Sequence, residues 1–422
     1  MIFNSTSEKF IFFKVPVLLF SFLPLFLISG PFLSDLSLSL ISVLFIIYCL
    51  KKKNFSYFKK KYFYFFLIFW FYLILNSLTN DLNLDSLKIS FFYFRFGVFV
   101  IAIVALVETD DRFVKYFFYC IFWCFLILII DGYYQYFVGK NIIGFKTPNL
   151  NRVSSFFGEK QILGSYLSRF WPIFFGLSIF ILKKKNKLFF ILILIFILSE
   201  VLIFLSGDRT AFFYINLSAI FIILFSQKLT KLRLYTLISS LALILIISFY
   251  NPNAKERLID HTLSQMNITN ETVSEGKEIY IFSKEHNQMY LSAYKMFLDN
   301  KIFGVGIKNF RNYCDDENYK SEFSCSTHPH NTYVQILAET GLLGFIFLLF
   351  ALFYFCKHII VHIYRKIKGK IYFTDFEICI LSGLAIYLWP FIPNGNVFNN
   401  WINITLFINF PFLILSRKLI KN

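Results

Sequence analysis

The residues best suited to chemistry form one run, His328-Pro329-His330-Asn331, followed after nine residues by Gly341-Leu342-Leu343-Gly344. With Thr327 as N-cap and Pro329 in the first turn, where its missing N–H does no harm, the spacing predicts a helix whose first turn carries His330. There the macrodipole disfavours an imidazolium, so His330 stays neutral near pH 7 and can accept a proton. The same helix end offers N–H groups to an anion such as phosphate. At roughly 100° per residue, Gly341 returns to the face of His330 with Gly344 beside it, so the spacing predicts a smooth glycine stripe. Asn331, Gln335 and Glu339 form a polar stripe alongside it. The competing reading is that His330 only caps its helix or sits at an interface.

An anion would need cations, and arginine suits a diphosphate because its planar fork is permanently charged and binds oxyanions bidentately. Arg209 in SGDRTA and Arg152 in RVSSFFGEK are the first candidates, with Arg257 and Arg311 behind them. The ordinary alternatives are an Asp208–Arg209 surface pair or snorkelling side chains. His328 and His330 form an H-x-H pair without a third ligand at zinc-like spacing, so no metal is expected. His358 and His362 stand four apart on a helix but lack the Glu of H-E-x-x-H and lie among Lys357 and Arg365, which reads as a solvated face.

The elements that must position these residues are membrane helices. The 422-residue chain is 57% hydrophobic and 21% aromatic, with Phe 60 and Tyr 25, a mean hydropathy of +0.62 and repeated apolar runs of spanning length. Its net charge of +17 lies mainly in short loops between those runs, the positive-inside pattern of a membrane protein, not a nucleic-acid surface. Apolar runs near 11–30, 32–50, 62–79, 91–107, 114–138, 164–182, 188–206, 211–226, 234–250, 331–356, 376–392 and 401–416 predict about twelve spans with both ends cytoplasmic. The first is expected to be a retained span, not a cleaved leader. Three regions follow: helices over 1–250, an outward polar loop over 251–330, and helices over 331–422.

The loop carries nine Lys or Arg against eleven Asp or Glu, with an amphipathic helix ended by Asp299-Asn300 and a turn at Gly304 and Gly306. Cys314 and Cys325 flank an acidic stretch within it and are expected to form a disulfide if that side is oxidising. Arg95, Arg169 and Glu200 fall inside spans, where a charge is expensive unless paired or hydrated. They either line the same cavity as the histidine or pair off, with Glu200 neutralising an arginine.

The run His330-Asn331, nine residues, then Gly341 and Gly344 resembles the signature of the O-antigen ligase and O-antigen polymerase superfamily of bacterial inner-membrane glycosyltransferases. SGDRTA around Arg209, YLSAYKMFLDNKIFGVGIKNF, GYYQYFVGKN and RVSSFFGEK extend the resemblance over residues 130–345. It implies an all-α, GT-C-like polytopic fold with a long periplasmic loop. It also implies an undecaprenyl-diphosphate-linked glycan as donor, a lipid A-core hydroxyl as acceptor, no metal or other cofactor, and inversion at the anomeric carbon. By the same resemblance Arg209 would hold the diphosphate and His330 would activate the acceptor or position the donor, with Asn331 beside it. Relatives carry an arginine shortly before a Trp/Tyr-x-x-Ala helix, whereas this chain has His286 four residues before Tyr290. That leaves His286, Arg257 and Arg311 as candidates for the second anion-binding residue. En bloc ligation leads, with polymerisation of the lipid-linked chain or protein O-glycosylation as alternatives. Outside the enzymes, a twelve-span transporter remains, against which stand the lack of matching halves and the concentration of polar residues in one loop.

Overall fold

The computed structural model describes residues 1–80, 83–147, 152–182, 187–250, 256, 260–266, 268 and 279–421. Among these the regular structure is helical, and a helix occupies each of the twelve predicted segments. Seven helices are long and apolar enough to cross a membrane, or eight if the bent pair Thr6–Ser21 and Leu23–Ser29 counts as one span. Length and hydropathy alone therefore support fewer spans than the twelve expected. The 54° bend in that pair follows from Pro24, which has no N–H to give the preceding turn.

Two helices outside those seven are the most enclosed. Leu163–Ile181 and Asp375–Leu388 are buried along nearly their whole lengths. A Cβ added at Gly176 would sit 2.9 Å from the Cys379 Cβ, so the two helices touch almost backbone to backbone. Protein surrounds them instead of lipid, and they accommodate Arg169, Ser168, Ser178 and Ser382 in their interiors. The outer helices do the reverse and expose Ile68, Phe137 and Phe249, as a lipid-facing surface requires.

Charges within the helices are mostly paired. Arg95 meets Asp35 at 2.8 Å. Arg233, beside the basic turn that holds Lys228 and Lys231, is fully buried and bonds Glu200 at 2.6 Å beneath the Trp171 ring. Glu200 thus neutralises an arginine and lines no shared cavity with the histidine. His362 likewise departs from the solvated reading: it is buried, with Nε2 donating to the Phe225 carbonyl at 2.9 Å and Nδ1 accepting from the Phe373 N–H at 3.2 Å. Phe373, in the turn after this helix, lies with its ring 5.6 Å from that of His362.

In the polar segment, Ser283 caps the amphipathic helix Lys284–Asp299, which buries Met289, Ala293 and Met296 on one face. Cys314 and Cys325 are joined by a disulfide.

The helix Thr332–Ile367 differs from the smooth rod expected. At Gly341 the backbone takes φ 61°, ψ −166°, a conformation essentially confined to glycine, and the helical ladder breaks. Residues 301–306, a run of turns upstream, insert at the break. The N–H groups of Val305 and Gly306 donate to the Ala338 and Glu339 carbonyls at 2.9 Å each, while Leu342 N–H donates to the Lys301 carbonyl at 2.9 Å. These backbone groups at the kink are thereby satisfied across the break, as a buried site demands. Tyr72 Oη donates to the Thr340 carbonyl and Asn76 to that of Phe303, closing the joint from a third helix. Gly304 (φ 70°) faces Gly341 so closely that a Cβ on Gly304 would lie 2.5 Å from the Ala338 oxygen. The glycines of the motif therefore make a clasp, not a stripe.

Candidate functional site

The clasp fixes one end of a short helix, residues 332–340; the other end presents the histidines. Asn331, not Thr327, is the N-cap: its Oδ1 accepts from the Tyr333 N–H at 2.9 Å and the Val334 N–H at 3.1 Å. Its Nδ2 donates to the Pro390 carbonyl at 2.8 Å, so the amide is occupied by structure and points at no open site. Asn caps as well as any residue, and this cap leaves His330 outside the first turn at φ 55°. Gln335 and Glu339 are buried, bonded to each other at 2.9 Å and to backbone N–H groups of Val397 and Phe310. The polar stripe is thus an internal brace.

Three histidines converge before this helix. The His328 and His330 rings lie 4.1 Å apart, and His286, from the amphipathic helix, meets His330 edge-on at 5.7 Å. His330 Nε2 shares a hydrogen bond with the Ser326 hydroxyl at 3.1 Å. His328 Nε2 lies 3.1 Å from the Asn394 carbonyl, which can only accept, so this nitrogen carries the proton and Nδ1 accepts from the Thr327 hydroxyl at 2.9 Å.

Burial holds the His330 imidazole below its ordinary pKa. Burial and then the neighbouring His330 push His328 down to about 4. His286 is pushed down to about 4 by burial, by His330 and by Arg209, against a smaller opposing pull from Glu285. The cluster is therefore neutral at pH 7, and His330 is placed to accept a proton. Because the folded values of His286 and His328 lie below the unfolded 6.5, the unfolded chain binds more protons between pH 6.5 and 4. The thermal midpoint of the purified protein is expected to be flat above pH 7 and to fall as the pH drops from 6.5 towards 4. His328→Asn should shrink that fall; an equal fall in the variant would count against His328 as a source.

The arginines arrive from separate elements. Arg209 opens the helix Arg209–Phe225 behind the N-cap Asp208, whose Oδ1 accepts the Ala211 N–H at 3.0 Å, so Asp208 serves as a cap and not as a surface partner. Arg209 Nη1 donates to Gln265 Oε1 at 2.5 Å, and its charge is felt at His286. Arg152 Nε donates to the Ser206 carbonyl at 3.1 Å, three residues before Arg209. Its loop is held by Gln135 Oε1, which accepts the Ser154 and Ser155 N–H groups, and by Asp131, which accepts the Ser155 hydroxyl. Arg311 is exposed, donates to the Thr327 carbonyl at 3.1 Å and contributes positive potential at His328. Arg257 lies outside the described residues. The structure thus groups His330, His328, His286, Arg209 and Arg311, with Arg152 on the adjoining turn.

Sequence reasoning missed the loop between the last two buried helices. Asn394 touches the motif twice beyond its carbonyl bond to His328: its N–H donates to the His330 carbonyl at 2.6 Å and its Nδ2 to Thr332 Oγ1 at 3.2 Å, while its Oδ1 accepts from Arg169 at 2.9 Å. Thr210, next to Arg209, donates to the Pro393 carbonyl at 3.0 Å, so the same loop ties the arginine helix to the histidines. The available signal was Ile392-Pro-Asn-Gly-Asn396, a turn-rich string facing the same side as the histidines. Among the described residues, no three His, Cys, Asp or Glu side chains group as metal ligands.

Compared with known families, residues 193–349 match the model described as O-antigen ligase, a segment that includes Arg209, His286, the three-histidine cluster and the clasp. No curated protein matches the chain.

Proposed function

We propose, from the match of residues 193–349 to the O-antigen ligase family model, that this multi-pass membrane protein is a glycosyltransferase. It moves a polysaccharide en bloc from undecaprenyl diphosphate to a sugar hydroxyl of lipid A-core, at the periplasmic face of a bacterial inner membrane. The observation that carries this reading is the neutral, half-buried His330, in ring contact with His328 and His286 and tied through one loop to the helix that Arg209 opens.

In the proposed step His330 takes the proton of the acceptor hydroxyl as its oxygen attacks the anomeric carbon. The bond from that carbon to the phosphate oxygen breaks with its electron pair, which departs on the diphosphate. Arg209 stabilises the charge growing there, with the positive potential of Arg311 and Arg152 behind it. Attack opposite the leaving group gives inversion. Because the donor already carries a diphosphate leaving group, the scheme calls for neither nucleotide sugar nor metal.

Polymerisation of the lipid-linked chain uses the same donor and the same two residues, and a deletion strain separates the two. Ligase function leaves free lipid A-core while long lipid-linked polymer accumulates; capping of lipid A-core by single repeats would overturn ligation in favour of polymerisation.

A further inference from the structure

Arg169 is nine-tenths or more buried at 4% exposure. It sits in the helix Leu163–Ile181, outside every motif that the resemblance covers by name. Unlike Arg95 and Arg233, it forms no ion pair among the described residues. A buried guanidinium without a carboxylate is costly unless its faces and edges are otherwise satisfied. Here the Tyr214 and Tyr387 rings lie 5.1 and 5.5 Å from its centre. Nη1 donates to Ser165 Oγ at 2.5 Å, and Nη2 donates to Asn394 Oδ1 at 2.9 Å. Tyr214 belongs to the helix that Arg209 opens, and Tyr387 to the helix leading into the Asn394 loop. One rigid fork thus joins three buried helices and ends on the residue that touches His328, His330 and Thr332.

We propose that Arg169 is a positioning residue which, through Asn394, fixes the orientation and tautomer of His328 and the placement of His330. The Asn394 side chain has no other anchor as stiff: its remaining partners are Thr332 Oγ1 and the adjacent Gly395 N–H. Losing the Arg169 bond frees that side chain to rotate and lets the loop carbonyl leave His328 Nε2. With the carbonyl gone, His328 can take either tautomer, and water reaches both rings. The groups that face the pair are His286 with Glu285 and Arg209 behind it, Arg311, and the Asn394 carbonyl; none of these is altered by changing Arg169.

The inference rests on the proposed function for its catalytic consequence but not for its structural one, and two readouts keep these apart. In the full-length purified protein, carbethoxylation of His328 and His330 by diethyl pyrocarbonate is followed by peptide mass spectrometry from pH 4.5 to 8. Only the neutral ring reacts, so the midpoint of the normalised rate reports the ring's own titration. In the wild type His328 is expected to keep most of its reactivity down to the acid end of this range, and His330 to titrate below its ordinary value. In Arg169→Met the His328 inflection should enter the range from below, a rise of about one pH unit or more as water replaces protein around the rings. Arg169→Lys, which keeps a donor for Asn394 Oδ1, should recover at least part of the shift, and Asn394→Ala should reproduce it from the other side. In transfer assays Arg169→Met is expected to lower kcat on the order of 10- to 100-fold with little change in KM. A displaced midpoint with unchanged transfer supports the positioning role while overturning catalysis by the histidines. An unmoved midpoint in Arg169→Met and in Asn394→Ala overturns the proposal, and should Arg169→Met fail to fold, the Asn394→Ala and Arg169→Lys pair decides alone.

Discussion

His330→Ala is expected to lower the rate of glycan transfer about 10²- to 10⁴-fold, the usual contribution of a positioned general base. Arg209→Ala is expected to cost about 10²- to 10³-fold, the scale on which removal of one group stabilising developing charge is felt. The two losses should fall short of multiplying, because proton removal at the acceptor and charge relief at the leaving group belong to one transition state. The variants call for little structural adjustment. His330 is half-buried with a single side-chain bond, to Ser326, and Arg209 lies at a helix start whose cap is the separate Asp208. The measurement is turnover by purified protein with lipid-linked donor and acceptor, alongside gel filtration to show that each variant is folded. Full activity in both folded variants would remove these residues from the mechanism.

Gly341→Ala should produce the largest loss of stability among single substitutions at the motif. Its backbone torsions are those only glycine adopts readily, and the new Cβ would meet the Ile302 carbonyl and lie 2.7 Å from the Gly304 nitrogen. Both obstacles are backbone, with no flexible side chain to yield, so strain and overpacking together should cost about 3 to 5 kcal/mol. Gly139→Ala is the control: φ is 81° there, but nothing stands within 4 Å of the added carbon, so the cost should be roughly 1 to 2 kcal/mol. Thermal unfolding in detergent distinguishes them, and a Gly341→Ala protein that melts with the wild type would show that the clasp is not needed. Transfer activity should fall with the fold, because the clasp holds the far end of the helix that presents His330.

The neutrality of His330 was legible in the sequence, as was the helical, membrane-embedded class. The cause of the neutrality differs in part. A helix N-terminus was expected to supply it, whereas the shifts at His328, His330 and His286 come first from burial. The glycines misled because local spacing cannot distinguish a smooth face from a break: Gly341 takes its torsions from residues 301–306, which the chain brings alongside only in the folded state. Asn394 was obscure for a related reason, and Arg169, though marked in the sequence as a costly charge inside a span, had two readings open; only the packing of Leu163–Ile181 against Asp375–Leu388 sets both beside the motif. Those same two helices were legible as apolar runs but fall outside the seven that are long and apolar enough to span, Asp375–Leu388 because it has only 14 residues.

The clasp also turns the segment before it into a ruler. Residue 341 is pinned by its backbone to residues 301–306, and Asn331 is pinned to the Pro390 carbonyl, so the helix between them has two fixed ends. Adding or deleting one residue there would swing His330 by roughly 100° and move it about 1.5 Å along the axis. Changes of length in this protein's relatives should therefore spare this segment, so that the count from histidine to first glycine stays constant.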